Sequence, residues 1–115
     1  HDAEFVRVAG TGAGTYAVRA FAEREGITVV RKGNPTMISD GGLPILVMSG
    51  GPELASIGTG DVLSGMIGAL WARGLGRTEA AVSGAYWHGV AGAHLAETRT
   101  VTAPALLEEI ARYAW

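Results

Sequence analysis

The sequence predicts an α/β fold, a short sheet flanked by several helices, and three observations lead there. Residues 15–25 have helical spacing, end at Gly26 and run straight into the apolar, β-branched stretch Ile27-Thr28-Val29-Val30. Helix, glycine and buried strand make half of a crossover unit, which predicts a sheet that is parallel in part. Met37-Ile38-Ser39, Asp40-Gly41-Gly42 and Pro44-Ile45-Leu46-Val47 form a hairpin pattern with the Asp-Gly pair at its turn. Two later stretches, 61–72 and 78–97, are small and apolar at helical spacing. With 115 residues, 48% of them hydrophobic and 17% charged, the chain has material for one domain with a core and lies far from the disordered class.

Taken in order, His1-Asp2-Ala3-Glu4-Phe5-Val6-Arg7-Val8 reads as a short helical turn with Phe5 and Val8 on one face. Gly10-Thr11-Gly12-Ala13-Gly14 has the spacing of a phosphate loop, but no strand precedes it, and a plain connector is the better reading. Thr15 can cap the next helix, with Tyr16, Val18, Phe21 and Ala22 inward and Arg19, Glu23 and Arg24 outward; Gly26 stops it as a left-handed terminal residue. The helix from Asp61 to Ala72 turns Val62, Leu63, Met66, Ile67 and Leu70 to one broad face. An internal glycine costs up to about 1 kcal/mol against alanine. Its small residues, Ser64, Gly65, Gly68, Ala69 and Ala72, therefore predict a backbone packed close by. Arg73-Gly74 closes it. Thr78-Glu79 opens a second long helix to about Glu97, with Ala80, Ala81, Gly84, Ala85, Gly89, Ala91 and Gly92 among the larger Val82, Tyr86, Val90 and Leu95. Thr102 caps a last helix with Pro104 in its first turn, Leu106, Leu107 and Ile110 inward, and Glu108-Glu109 as a solvated face.

Composition narrows the function. A formal net charge of −2 with no basic run gives no reason to expect nucleic acid or an anionic membrane as partner. Cysteine is absent, which rules out disulfides and thiolate metal sites and is compatible with a reducing cytosol. The longest apolar stretch, Val62 to Ala72, is too short to span a bilayer, and no signal peptide is recognisable. His88 and His94, six apart, do not share a helical face, so metal ligation by the pair is not expected. Trp71 and Trp87 read as packing residues. The chain opens on His1 rather than Met, which suggests a fragment or a processed piece.

Chemistry concentrates in Ser56-Ile57-Gly58-Thr59-Gly60-Asp61-Val62-Leu63-Ser64-Gly65. Glycines let a backbone approach a ligand, and the helix that follows turns its unpaired amides and positive dipole end toward the loop, so loop and helix make a site for an anion such as phosphate. Asp61 stands at the mouth of that site, where a carboxylate can take a proton from a hydroxyl. A plain helix cap at Thr59 or Asp61 accounts for the same residues equally well on composition. Lys32-Gly33-Asn34-Pro35-Thr36, at the carboxyl end of the first strand, is either a polar turn or a nucleotide segment.

Four stretches carry a resemblance to the ADP- or ATP-dependent NAD(P)H-hydrate dehydratases, within the ribokinase-like superfamily. His1-Asp2-Ala3-Glu4-Phe5-Val6-Arg7 resembles the family's Thr-Pro-His segment from its histidine onward. Val30-Arg31-Lys32-Gly33-Asn34-Pro35-Thr36 resembles its Lys-Gly-x-x-Thr nucleotide segment. Gly58-Thr59-Gly60-Asp61-Val62-Leu63-Ser64-Gly65 resembles the anion-hole motif, and Tyr86-Trp87-His88-Gly89-Val90-Ala91-Gly92 with Thr100-Val101-Thr102 resembles the closing helices. The resemblance covers essentially the whole chain but only the second half of such a domain, and it implies the C-terminal part of a ribokinase-like three-layer fold. The sequence departs from the pattern at Val47-Met48-Ser49-Gly50-Gly51, where the family has Asn-x-x-Gly-Asn. It departs again at Ile57, a bulky residue expected beside the phosphates, and at Glu53 in a loop expected to face nucleotide.

The resemblance implies a cytoplasmic lyase that dehydrates (S)-NAD(P)H-hydrate with ADP (or ATP) as co-substrate. It implies Asp61 as catalytic base and hydrate contact, and His1 as a second hydrate contact. Lys32, Gly33, Asn34, Pro35, Thr36, Gly58, Thr59 and Gly60 would hold the adenine nucleotide. It further implies Mg2+ with the nucleotide, without a ligand cluster in this segment, a homo-oligomer, and an epimerase domain or protein as companion. A ribokinase-like kinase for a vitamin precursor, and a catalytically silent nucleotide-binding remnant, remain the alternatives.

Overall fold

The computed structural model describes residues 1–113. Five helices and three strands follow in the order α1 (Asp2–Ala9), α2 (Thr15–Glu25), β1 (Val29–Arg31), β2 (Thr36–Ser39), β3 (Ile45–Val47), a 3-10 turn at Pro52–Leu54, α3 (Thr59–Ala72), α4 (Arg77–Ala96) and α5 (Ala103–Ile110). The strands pair in sequence order, with Val30 opposite Ile38 and Met37 opposite Leu46. Both pairings are antiparallel, so the expected parallel character is absent from the described strands. The reason is local. Residues 32–35 and 40–44 are loops too short for a crossover, and a chain returning that quickly must pair antiparallel.

Alternation along the strands builds three layers. Val29 and Met37 point to one face, where they pack with Phe5 of α1 and with Val18 and Ala22 of α2. Val30, Ile38 and Val47 point to the other and pack with Leu63 of α3 and with Ala81 and Ala85 of α4. Ile38 is fully buried at the centre. Helix α5 extends the second layer, its Ala105, Leu106 and Ile110 closing on Met66, Ala91 and Leu95.

Several expectations hold in detail. Gly26 ends α2 at φ 65, a conformation that favours glycine, and Thr102 caps α5 by accepting from the Ala105 amide at 3.4 Å. Others need correction. Gly14, not Thr15, is the N-cap of α2, with no side-chain cap bond. Tyr16 is 85% exposed, and Val8 and Leu107 also face solvent. Glu109 is buried, its carboxylate accepting from His94 Nδ1 at 2.7 Å with the Arg112 guanidinium 3.4 Å away, so only Glu108 belongs to the solvated face. A Cβ at Gly65 or Gly68 would meet nothing within 4 Å, so the close packing predicted for α3 does not occur at these two positions.

The hairpin turn is tied to α4 by Asp40. Its Oδ1 accepts from the Gly42 amide at 3.1 Å and its Oδ2 from the Thr78 hydroxyl at 3.0 Å. These bonds favour the ionised form and hold the carboxyl below its ordinary range. A depressed folded-state pKa contributes stability above the unfolded value, lost as pH falls through the folded one. Asp40→Asn is therefore expected to lower Tm at pH 7, with the gap to wild type narrowing once the pH drops below about 4; thermal melts from pH 7 to pH 2 check it.

Candidate functional site

A cavity of about 600 Å³ lies where the β1–β2 loop, the leading edge of α1, the loop after β3 and the start of α3 converge, with Ala85 and His88 of α4 in its wall. Lys32, Gly33 and Asn34 reach it from the β1–β2 loop, Thr36 from the start of β2, Gly58 from the N-cap of α3, Thr59, Gly60 and Asp61 from its first turn, and His1 from the N-cap of α1. Pro35 is the one predicted site residue off the lining, and its bond to Asn34 is cis. Asp2 pairs with the Arg31 guanidinium, which ties the start of α1 to the strand end that carries Lys32.

The turn into α3 sets the donors. Gly58 has φ 87, a left-handed conformation, and its carbonyl accepts from the Asp61 and Val62 amides at 3.1 and 3.2 Å. The Thr59 amide donates to Ser56 O at 3.4 Å. The Thr59 hydroxyl is directed away from an incoming anion and shared between Leu54 O at 2.6 Å and Ser56 O at 2.8 Å, so Thr59 holds the loop by its side chain. The amides of Gly58 and Gly60 find no acceptor among the described residues. The anion hole is thus narrower than the full set of first-turn amides. Against it lies Lys32: a Cβ built on Gly60 would stand 2.7 Å from the Lys32 ammonium, which is also 3.9 Å from Glu4 Oε2. Helix dipole and ammonium converge on one spot, the electrostatics a phosphate requires. Asp61 is exposed at the cavity's edge, its carboxylate free of hydrogen bonds to other described residues.

Helix α4 supplies the floor through its small residues. A Cβ on Gly84 would sit 2.7 Å from Ile67 Cγ1, on Gly89 2.4 Å from the Ser49 carbonyl oxygen, and on Gly92 2.5 Å from Leu54 Cδ2. The glycines let α3 and the 49–54 loop settle directly on the helix, and Ser49 Oγ donates to Tyr86 O at 2.8 Å. Ser49, Gly50 and Gly51, where the sequence departs from the family pattern, line the cavity. Ile57 does not: it is 99% exposed and off the lining, which corrects the expectation that it crowds the phosphates. Glu53 also lies off the lining, accepting from the Gly51 amide at 2.7 Å.

From the sequence His88 belongs to the stretch resembling the closing helices and is not expected to ligate a metal, so it has no site role there. It is 6% exposed, lines the cavity, and its Nε2 donates to the Thr59 carbonyl at 2.8 Å. Burial lowers its pKa, opposed by the bond to Thr59, with the Lys32 charge adding to the depression. The signal was available: a histidine on the Ala81, Ala85, Gly92 face of an otherwise apolar helix requires a polar partner.

Gly60→Ala adds its methyl where the Lys32 ammonium now rests. The neighbour is the far end of a flexible side chain, so Tm is expected to change by little, while affinity for ADP, the ligand the sequence resemblance implies, is expected to fall about tenfold. Melting curves and titration calorimetry on the same samples read both.

Three layers, with a glycine loop leading into a helix beside a strand-end lysine, define a ribokinase-like domain. The chain belongs to the NAD(P)H-hydrate dehydratase family, whose family model matches residues 1–112. It is 41% identical over 96% of its length to the ADP-dependent (S)-NAD(P)H-hydrate dehydratase of Neisseria meningitidis serogroup B, covering 40% of that protein. It is 47% identical over 81% of its length to the bifunctional NAD(P)H-hydrate repair enzyme Nnr of Mycobacterium leprae, covering 20% of it. Among solved structures it matches the ADP/ATP-dependent NAD(P)H-hydrate dehydratase of Bacillus subtilis co-crystallised with ATP/Mg2+ at TM-score 0.89 and 27% identity, over 97% of this chain and 44% of that one. The chain therefore spans less than half the length of these relatives.

Proposed function

We propose that this chain carries the nucleotide-binding and proton-abstracting part of an ADP-dependent (S)-NAD(P)H-hydrate dehydratase. The observation that supports it most is the convergence of Lys32, the open Gly58 and Gly60 amides and the unencumbered Asp61 carboxylate on one cavity. Lys32, Gly33, Asn34, Pro35 and Thr36, with Gly58, Thr59 and Gly60, hold the nucleotide, and His1 and Asp61 contact the hydrate. Asp61 takes the proton from the ring hydroxyl as the terminal phosphoryl group passes to that oxygen. The phosphoryl bond to the nucleotide breaks and the bond to the hydrate oxygen forms; loss of phosphate with a ring proton restores the dihydropyridine. The Gly58 and Gly60 amides and the Lys32 ammonium offset charge gathering on the phosphate oxygens.

Mg2+ suits this site as an ion carried in on the nucleotide phosphates, for which one or two carboxylates suffice. Asp61 is the carboxylate on the lining, and no cluster of three or more His, Cys, Asp or Glu exists among the described residues. When bound, Mg2+ neutralises phosphate charge. A cytoplasmic homo-oligomer working beside an epimerase completes the reading. The Nnr relatives, described as bifunctional, support a companion activity, and no helix among the described residues is long and apolar enough to cross a membrane.

The test offers the chain, alone and joined to the preceding half of the Neisseria relative, two substrate sets. Turnover of hydrated NADH with ADP supports the proposal. Phosphorylation of a hydroxymethylpyrimidine or hydroxyethylthiazole with ATP would replace it with the kinase reading. Weak ADP binding without turnover in either form would leave a silent remnant.

A further inference from the structure

We propose that His88 is a positioning residue for the anion site: its Nε2–H holds the Thr59–Gly60 peptide so that the Gly60 N–H faces the cavity. The inference rests on the preceding reading only for the identity of the ligand.

The geometry carries the argument. His88 Nε2 lies 2.8 Å from Thr59 O, and since a carbonyl only accepts, the nitrogen donates. The 59–60 peptide is trans, Asn34–Pro35 being the one cis bond among the described residues. In a planar trans peptide the C=O and N–H point in opposite directions. Thr59 opens α3, so helical geometry already orients this peptide; the bond from His88 anchors its carbonyl against α4 and leaves the Gly60 N–H pointing away from α4, with no acceptor among the described residues. A donor at the carbonyl end also polarises the peptide and strengthens the N–H at the other end. The rest of Thr59 is pinned as well, its hydroxyl on Leu54 O and Ser56 O. Ala103 of α5 packs against the turn at Gly58, but the hydrogen bond to it from another helix comes from His88, which is buried, so the bond is little weakened by competing water. Burial and the nearby Lys32 charge favour the neutral ring. In that form Nδ1 carries the lone pair and Nε2 the proton, as the bond to Thr59 demands.

Long-range nitrogen–proton correlation spectra of the wild-type chain are expected to show the Nε2–H tautomer of His88 at pH 7. His88→Leu is expected to move the Gly60 amide proton upfield and to weaken ADP binding about three- to tenfold. His88→Gln, whose amide nitrogen can donate to the same carbonyl, is expected to restore the Gly60 shift and most of the affinity. An Nδ1–H tautomer in the wild type overturns the proposal. So does a folded His88→Leu chain whose Gly60 resonance and ADP affinity match the wild type, or a folded glutamine variant as impaired as the leucine one. If the wild type fails to bind ADP, the nucleotide reading falls, while the tautomer and the Gly60 shift still decide the role of His88.

Discussion

Asp61→Asn is expected to lower the rate of hydrate dehydration about 10³-fold while changing ADP affinity by less than about twofold. The substitution keeps shape and removes the ability to accept a proton. Nothing structural should follow from it. The Asp61 amide still donates to Gly58 O, and the side chain gives up no hydrogen bond to any described residue. Asparagine also serves helix starts as well as aspartate, so a residue that only capped α3 would tolerate the change. The experiment thus separates the two readings the sequence left open. Steady-state rates with ADP and hydrated NADH are measured beside ADP calorimetry, in the form of the protein that turns over. Wild-type activity in the variant would leave Asp61 as no more than a first-turn carboxylate favoured by the helix dipole, and a parallel loss of ADP binding would make it a nucleotide ligand instead.

Much of this architecture was legible from spacing. The Asp-Gly turn, the Gly26 stop and the Thr102 cap are local devices whose cause lies within a few residues, and each stands where the sequence put it. The misplaced helix faces share one physical origin. Tyr16 lies two positions from Val18, and on a helix that is nearly the opposite side. Leu107 cannot share a face with Leu106, nor Glu109 with Glu108, because each pair is about 100° apart on the wheel. Glu109, three positions after Leu106, falls on the buried face and finds His94 and Arg112 there. The sheet failed differently. A helix leading into a buried strand says that a crossover is present and says nothing about the next strand, whose direction the short 32–35 loop decides. At the site, the glycine loop and lysine segment were readable as donors, whereas the Thr59 hydroxyl and His88 depended on partners twenty-nine residues away or hidden in loop carbonyls.

The second large effect concerns the floor. Gly89→Ala is expected to destabilise the chain by about 3 kcal/mol and to lower its Tm accordingly. Propensity argues the other way, since alanine is favoured over glycine in a helix interior by up to about 1 kcal/mol. Packing decides. The new Cβ would stand 2.4 Å from both the carbonyl oxygen and Oγ of Ser49 and 2.5 Å from its carbonyl carbon. These are largely backbone atoms, so no side-chain rotation relieves them. Ser49 cannot retreat freely either, because its hydroxyl donates to Tyr86 O and Gly50 lies against Gly89 Cα. Gly65→Ala in α3 is the control, with nothing within 4 Å of its added methyl. There propensity acts alone, and a gain of up to about 1 kcal/mol is expected. Urea unfolding of both variants reads the two signs. A Gly89→Ala chain as stable as Gly65→Ala would mean that the 49–51 loop is not seated on α4, and the cavity it rims would lose its floor with it.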